Sequence, residues 1–438
     1  MDGYPSSPDI VSLLMTAVRK SDSIDRIAWG YDAGAAGLPR GHDRISLTDT
    51  KERAMTAAEM LDRLVGFPTV SRDSNLDLIA FVEAFLDEHD VPHWRVESDD
   101  GRKANLLARI GPEVAGGVVL SGHTDVVPVD GQPWSTDPFT LIDKGDGRLY
   151  GRGTCDMKGF IACALAEVPR WVTLDLKTPI WLALSYDEEV GCIGAPRMIE
   201  RLMAEHPRPA AVIVGEPTLM HPVVAHKGAT NLRTTVTGRA SHSSQVNQGV
   251  SAIHVAARLV TYIEEVMAEL RAEGRVDEAF NVVHSSLHVG KIAGGTAINI
   301  MARECTFEWE IRHLPSDRFE ELLGRVNARA AELEAEMQRR APEASIVTEP
   351  LNETVPALAD DNNAEVLALC HALLGERPAG AVAYATEAGQ FQRKGLPTVI
   401  CGPGSIGQAH QPDEYIDIEQ LEAGAAFMTA LGERLRRA

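Results

Sequence analysis

Between residues 55 and 225 the chain alternates helix-like stretches with short apolar runs. The apolar runs are residues 104–110, 117–121, 180–185 and 211–214, and the helix-like stretches are residues 76–89, 158–168 and 194–206. This alternation predicts an α/β layer fold with a largely parallel sheet. Open sheets of this kind carry their functional groups at the carboxyl ends of the strands. The residues that follow the apolar runs are therefore the candidates for chemistry.

After residue 226 the rhythm changes. Strands are predicted at 231–237, 286–292, 305–312 and 345–350, and helices at 251–270 and 317–338. The order βαββαβ is typical of a ferredoxin-like module. None of the candidate metal ligands described below falls in it, and the catalytic pattern resumes near Pro356. The sequence thus predicts a catalytic domain in two segments, 55–225 and 353–438, interrupted by an inserted domain at 226–352.

Residues 1–54 stand apart from this pattern. They are polar and rich in glycine and aspartate after one short apolar stretch, and are predicted to form an N-terminal extension. Met55 precedes the first helix of the predicted catalytic domain and is a candidate for the natural start. A packed N-terminal arm is the alternative, and the sequence leaves both open.

Charge and cysteine content narrow the class of protein. The 438 residues carry a formal net charge of −21, which disfavours nucleic acid and anionic membranes as partners. No apolar run approaches the ~20 residues that a membrane-spanning helix needs, and the N-terminus lacks the basic start of a secretory signal. The six cysteines are dispersed and include no CxxC pair, which is typical of reduced thiols in a cytoplasmic protein.

The segment Ser-Gly-His-Thr-Asp at 121–125 ends one of the apolar runs. His123 and Asp125 are two residues apart and project to the same side of an extended chain. This spacing predicts that Asp125 holds one ring nitrogen of His123 while the other nitrogen faces a metal ion.

Further acidic and imidazole groups follow apolar runs or lie in glycine-rich loops. They are Asp156, Glu188, Glu189, Glu216 and His410. Two histidines and three carboxylates suffice to hold two divalent ions, which leaves one glutamate free to act as a base. Mixed nitrogen and oxygen ligands suit zinc. Cys155 and Cys401 lie beside these loops and are alternative thiolate ligands, but the carboxylate and histidine set already completes two sites.

Six stretches give the sequence a resemblance to a known family. They are SGHTDVVPVDGQPWSTDPF (121–139), LYGRGTCDMKGFIA (149–162), YDEEVGCIGA (186–195), GEPT (215–218), YATEAGQFQ (384–392) and CGPGSIGQAHQPDEYI (401–416). Together they resemble the co-catalytic zinc amidohydrolases, which include deacylases, aminoacylases and carboxypeptidases. The resemblance covers the chain from about residue 55 onward, and within the family it is strongest to the acetylornithine deacetylases.

The resemblance implies a role for each metal-site residue. Asp156 would bridge two zinc ions, with cobalt as the alternative metal. His123 and Glu216 would complete one site, and Glu189 and His410 the other. Glu188 would be the general base, and the Asp156–Met157 peptide bond would be cis.

The resemblance also implies substrate contacts outside the metal site. His242 of the inserted lid would reach the partner's active site and stabilise the oxyanion, which makes a homodimer part of the mechanism. Arg312 and Asn299 would bind the α-carboxylate of an N-acyl amino acid. Glu387 would select a cationic side chain such as that of ornithine, or else cap the helix that follows it.

These expectations combine into one predicted activity. It is the zinc-dependent hydrolysis of N²-acetyl-L-ornithine to ornithine and acetate, a step in arginine biosynthesis. The alternatives are a related deacylase or dipeptidase, acting for example on acetylcitrulline or succinyl-diaminopimelate, and a non-catalytic metal-binding relative.

Overall fold

The computed structural model describes residues 54–437 of the chain. The expectations for the N-terminal extension therefore lie, except for residue 54, outside the described residues. In chain order the elements are α1 (Ala57–Val65), α2 (Leu76–Asp87), β1 (His93–Glu97), β2 (Ala104–Ile110), β3 (Val118–His123), β4 (Ile142–Asp143), β5 (Arg148–Tyr150), α3 (Lys158–Trp171), β6 (Ile180–Ser185), α4 (Ala195–Glu205), β7 (Ala211–Pro217), β8 (Val223–His226), β9 (Gly228–Thr237), α5 (Ala252–Ala272), β10 (Ser286–Gly294), β11 (Glu304–His313), α6 (Phe319–Gln338), β12 (Ser345–Pro350), α7 (Ala364–Leu374), β13 (Gly380–Val382), α8 (Ala388–Arg393), β14 (Thr398–Gly402), β15 (Tyr415–Asp417) and α9 (Ile418–Arg437).

The largest sheet has eight strands in the order β1-β2-β6-β3-β7-β14-β8-β13. Its four central strands, β6, β3, β7 and β14, run parallel to one another. Strands β1 and β2 pair antiparallel at one end, and β2 joins β6 antiparallel. The predicted α/β fold with a largely parallel sheet is thereby confirmed.

Helices cover both faces of this sheet, as its fully buried central strands require. In β3, Val118 and Leu120 pack into one core, to which α1, α2, α3, α7 and α9 contribute. Val119 faces the opposite side and packs into a second core with residues of α4 and α8. Burial of successive residues on opposite faces explains why these strands appear as continuous apolar runs.

A second sheet has four antiparallel strands in the order β10-β11-β9-β12. Its chain order, β9-α5-β10-β11-α6-β12, matches the predicted βαββαβ pattern and the ferredoxin-like arrangement. Buried and more exposed side chains alternate along β11, so its two faces have different surroundings. Phe307 and Trp309 pack against α5 and α6, while Glu308 and Glu310 lie on the other face.

The eight-stranded sheet takes strands from before and after this module in the chain, since β8 precedes β9 and both β13 and β14 follow β12. A small third sheet, in the order β15-β5-β4, joins residues near 150 to residues near 416. Across residues 54–437, no helix combines the length and the apolar character needed to cross a membrane.

Candidate metal centre

The predicted ligands converge at the carboxyl ends of the central strands. His123 is the last residue of β3, and Glu216 lies near the end of β7. Glu189 follows β6, Asp156 lies just before α3, and His410 lies between β14 and β15. Parallel strands end at the same edge of a sheet, so residues far apart in sequence meet there.

Asp156 lies between the two histidines. His123 Nε2 is 3.1 Å from Asp156 Oδ1, and His410 Nε2 is 3.2 Å from Asp156 Oδ2. Glu216 Oε1 lies 3.7 Å from His123 Nε2, and Glu189 Oε2 lies 3.0 Å from His410 Nε2. Each oxygen of one carboxylate therefore faces a separate histidine–glutamate pair, as a bridging ligand between two ions would require.

Two overlapping sets of side chains could each hold an ion. Ligand atoms of His123, Asp156 and Glu189 lie within 4.8 Å of one another, and so do those of His123, Glu188 and Glu216. Among the described residues, Oε1 of Glu189 is buried without a hydrogen-bond partner. A buried carboxylate oxygen is costly to leave unpaired. The orphaned oxygen and the nitrogen and oxygen donors around it fit a divalent metal site.

Burial and crowding shift the pKa values of these groups. Burial raises the pKa of Glu188, Glu189 and Glu216, and the negative charge of Asp156 raises them further. Asp156 is the exception: burial would raise its pKa as well, but the hydrogen bonds and positive charge of His123 and His410 together hold that pKa below the usual range. Like charges this close disfavour one another's ionised forms. Divalent cations would relieve that repulsion.

Asp125 lies beside His123 as predicted, but its contacts differ from the expected ones. His123 Nδ1 lies 2.9 Å from the main-chain carbonyl of Asp125, whereas the carboxylate Oδ1 is 3.7 Å away. The carboxylate instead accepts the main-chain N–H groups of Glu188 at 3.1 Å and Glu189 at 3.3 Å, and the hydroxyl of Ser71 at 2.7 Å. The expected carboxylate–imidazole contact is thus replaced by a carbonyl contact, and the carboxylate fixes the Glu188–Glu189 loop.

Glu387 is buried and already hydrogen-bonded beside the metal cluster. Its residue is 1% exposed, and its two carboxylate oxygens accept the hydroxyls of Ser121 at 2.5 Å and Ser185 at 2.7 Å. It is the first residue before α8. Contact of Glu387 with a substrate ammonium group stays a prediction, whereas the side chain makes no capping hydrogen bond to α8.

The three predicted substrate contacts of the lid lie on the four-stranded module. His242 is exposed, with Nδ1 2.8 Å from the hydroxyl of Ser244. The carbonyl of Asn299 accepts the N–H of Ser243 at 2.9 Å, and Arg312 pairs with Glu310 on its own strand. Within residues 54–437, no hydrogen bond joins these groups to the metal cluster.

Other residues at the site were not singled out by sequence reasoning. Cys192 donates from its thiol to Oε1 of Glu188, and Arg152 forms a buried ion pair with Glu414. Cys192 and Arg152 lie within the stretches that carry the family resemblance, and that resemblance is the sequence signal that points to them. Cys155, an alternative ligand from the sequence, donates its thiol to the carbonyl of Ser405. The Asp156–Met157 peptide bond is cis, as the resemblance implied.

Residues 119–434 match the model of peptidase family M20/M25/M40. The chain belongs to this family. It is 34% identical over 380 residues to the acetylornithine deacetylase of Pasteurella multocida, which spans 85% of this chain and 96% of that protein. It is 35% identical to the acetylornithine deacetylase of Shigella sonnei, across 82% of this chain and 92% of that one. This M20 family member is accordingly a metal-dependent amidohydrolase.

Solved structures share the fold at low sequence identity. A tripeptidase from Staphylococcus aureus has a TM-score of 0.67 at 20% identity, covering 88% of this chain and 99% of that one. A metallo-carboxypeptidase from Sulfolobus solfataricus has a TM-score of 0.68 at 16% identity, covering 87% and 99%. These likenesses agree with the α/β fold described above.

Proposed function

We propose that this M20 protein hydrolyses N²-acetyl-L-ornithine to L-ornithine and acetate, with two zinc ions as its metals. The two relatives named acetylornithine deacetylase, each aligned over more than four fifths of the chain, carry the choice of substrate. The cluster at the sheet edge supports the chemistry, because it combines a set of metal-ligating groups with an additional buried carboxylate.

The ligand assignment follows the observed distances. Asp156 would bridge the ions, with His123 and Glu216 on one side and Glu189 and His410 on the other. When bound, the ions would make a water more acidic and polarise the acyl carbonyl.

Glu188 is the proposed proton carrier. Its main-chain N–H is held by Asp125 at 3.1 Å and its Oε1 by the thiol of Cys192 at 3.3 Å, so both its backbone and its carboxylate are positioned. Its carboxylate would accept a proton from the attacking water and then deliver it to the leaving amine. Burial raises the pKa of Glu188, which makes its carboxylate a stronger proton acceptor than that of an exposed glutamate.

The four-stranded module, residues 226–352, would act as a lid and as the dimer contact. Arg312 offers a planar guanidinium that suits a carboxylate, and Asn299 lies in an exposed loop of the same module. His242 is exposed, and among the described residues it makes no hydrogen bond to the metal cluster of its own chain. Both features suit a residue that serves a partner subunit. We extend the proposal to a cytoplasmic homodimer acting in arginine biosynthesis.

The substrate is tested by measuring amine release from a panel of N-acyl amino acids with metal-reconstituted protein. The panel contains acetylornithine, acetylcitrulline, acetylmethionine and succinyl-diaminopimelate. A kcat/KM for acetylornithine well above the others is expected. Preference for another member would move the substrate while keeping the chemistry, and inactivity on all four with two metals bound would overturn the proposal.

The shared active site is tested by subunit complementation. His242→Ala and Glu188→Ala are each expected to be inactive alone. After the two are mixed and allowed to exchange subunits, a mixed dimer contains one site with both residues intact, so activity should return. Mixing that restores nothing, when exchange is verified with differently tagged subunits, would place His242 outside the partner's site.

A further inference from the structure

Two loops carry Asp156 and His410, which meet at one of the two proposed metal positions. The ends of these loops are joined by strand pairing. The loop with Asp156 directly follows β5, and the loop with His410 directly precedes β15. These strands pair antiparallel, with Tyr150 opposite Tyr415. The pairing sets the two loops side by side but leaves several residues between it and either ligand.

Glu414 extends this connection to Asp156. Its Oε1 accepts the main-chain N–H groups of Cys155 at 2.9 Å and Asp156 at 3.1 Å. Its other oxygen accepts Nη1 of Arg152 at 2.6 Å, and the two side chains are 0% and 1% exposed. The residue that follows His410 by four positions therefore holds the backbone of Asp156 directly.

Gln132 closes the connection on the side of His410. Its Oε1 accepts Nη2 of Arg152 at 2.6 Å, and its Nε2 donates to the carbonyl of His410 at 3.2 Å. His410 has a φ of +62° and a side chain that is 53% exposed, so packing contributes little to its position. An L-residue in this conformation needs a restraint to remain there.

We infer that Gln132, Arg152 and Glu414 form a clamp that sets the position of His410 relative to Asp156 and so determines affinity for the ion held by Asp156, Glu189 and His410. A buried ion pair is weak evidence for a stabilising role, because an apolar pair of similar volume is often as stable. Glu414 accepts the main-chain N–H of Asp156, and Gln132 donates to the carbonyl of His410, so the hydrogen bonds of the clamp point to positioning. The inference rests on the metal site proposed above, but not on its substrate.

The variant Gln132→Leu removes the link to His410, together with the bonds that Gln132 Oε1 accepts from Arg152 and Trp134, while leaving Arg152 paired with Glu414. We expect it to weaken binding of the ion held by Asp156, Glu189 and His410, called here the second ion, by about 10- to 100-fold for Zn²⁺ or Co²⁺. This is the range for partners that orient metal ligands. The first ion, held by Asp156, His123 and Glu216, should bind as in the wild type. The readout is calorimetric titration of the metal-free full-length protein, together with its thermal unfolding midpoint.

Ser135→Ala is the matched control. Ser135 lies in the same loop as Gln132 and joins it to the loop of His410, through its hydroxyl to Asp413 at 3.0 Å, but does not contact the clamp. It should leave both ion affinities unchanged. Equal affinities in Gln132→Leu and Ser135→Ala would overturn the inference. So would weakening of both ions in Gln132→Leu in step with a fall in the unfolding midpoint, because that pattern indicates general destabilisation.

A double-mutant cycle identifies the residue through which Gln132 acts. In a His410→Ala background, Gln132→Leu should have no further effect on the second ion, because the group that it positions is gone. An additive loss would contradict the inference. Glu414→Gln provides an independent variant at the Asp156 end and is expected to weaken the same ion. Since affinity is measured without turnover, two tight ions without activity on acetylornithine would count against the proposed substrate alone.

Discussion

The thiol of Cys192 donates a hydrogen bond to Oε1 of Glu188 at a sulfur–oxygen distance of 3.3 Å. The main chain repeats the connection, because the N–H of Cys192 donates to the carbonyl of Glu188 at 2.8 Å. Cys192 has a φ of +53°, which folds the loop back on itself. The cysteine therefore restrains the carboxylate that we propose as the base.

Replacing Cys192 with alanine should lower kcat about 3- to 10-fold with a smaller change in KM, because one hydrogen bond of about 1 kcal/mol no longer orients the base. Steady-state kinetics on acetylornithine measure this. Cys163→Ala is the matched control, since that buried thiol donates to the carbonyl of Leu421 instead. A similar fall in both variants would indicate that the loss comes from packing.

Replacing Glu188 with glutamine should reduce kcat by about 10²- to 10⁴-fold, the usual contribution of a general base. Two metal ions should remain bound, as measured by elemental analysis after desalting. Glu188 lies close enough to His123 and Glu216 to bind an ion itself. Loss of one ion from Glu188→Gln would therefore show that Glu188 is a metal ligand. Glu189→Gln is the comparison variant, and it is expected to lose an ion.

Replacing Glu387 with glutamine should lower kcat/KM for acetylornithine and acetylmethionine by the same factor. The reason is its position: both carboxylate oxygens are occupied by Ser121 and Ser185, at the ends of β3 and β6 beside the metal cluster. A glutamine amide cannot accept from both hydroxyls, so the strand ends should shift for every substrate. A loss confined to acetylornithine would instead restore the side-chain selection that we predicted from sequence.

The sequence predicted the two sheets and the residues of the metal cluster because each signal is local. His123 ends an apolar run, and the burial of β3 on both faces makes that run continuous. The direction of a loop side chain is not local information. Ser121 and Glu387 are 266 residues apart, and Arg152 and Glu414 are 262 apart. Their contacts depend on strand order and on the β5–β15 register, which periodicity does not reveal.

Replacing Gly402 with alanine should destabilise the protein by about 3 kcal/mol, at the upper end of the usual cost of overpacking. A Cβ at this position would lie 2.0 Å from the carbonyl oxygen of Gly215 and 2.6 Å from that of Glu216, both in the paired strand β7. Backbone atoms in a sheet cannot yield without separating β14 from β7. Urea unfolding of the metal-free protein measures the change.

Gly407→Ala provides the comparison for Gly402. Its nearest neighbour, the hydroxyl of Ser405, would be at an ordinary 3.6 Å. We expect a change within about 0.5 kcal/mol, as for most exposed substitutions. Similar losses at the two glycines would show that close approach to β7 is not the cause.

His226 should make stability fall with decreasing pH. The residue is 0% exposed, its Nδ1 lies 2.8 Å from the carbonyl of Lys227, and its Nε2 accepts the N–H of Gly389 at 3.2 Å. Burial lowers the pKa of His226 to about 4 from 6.5. Between those values the unfolded chain binds a proton that the folded protein does not, so its contribution is fully present above pH 6.5 and is lost as the pH falls towards 4.

Between pH 7.5 and 5.5 this difference amounts to about 1 kcal/mol of unfolding free energy. Urea unfolding of the metal-free protein at both values should therefore show a smaller loss at low pH in His226→Gln than in the wild type. The metal-site carboxylates titrate in both proteins, so the comparison between them isolates His226. His221→Gln, at an exposed histidine, should retain the wild-type dependence. An unchanged dependence in His226→Gln would mean that the buried imidazole takes up its proton without opening the fold.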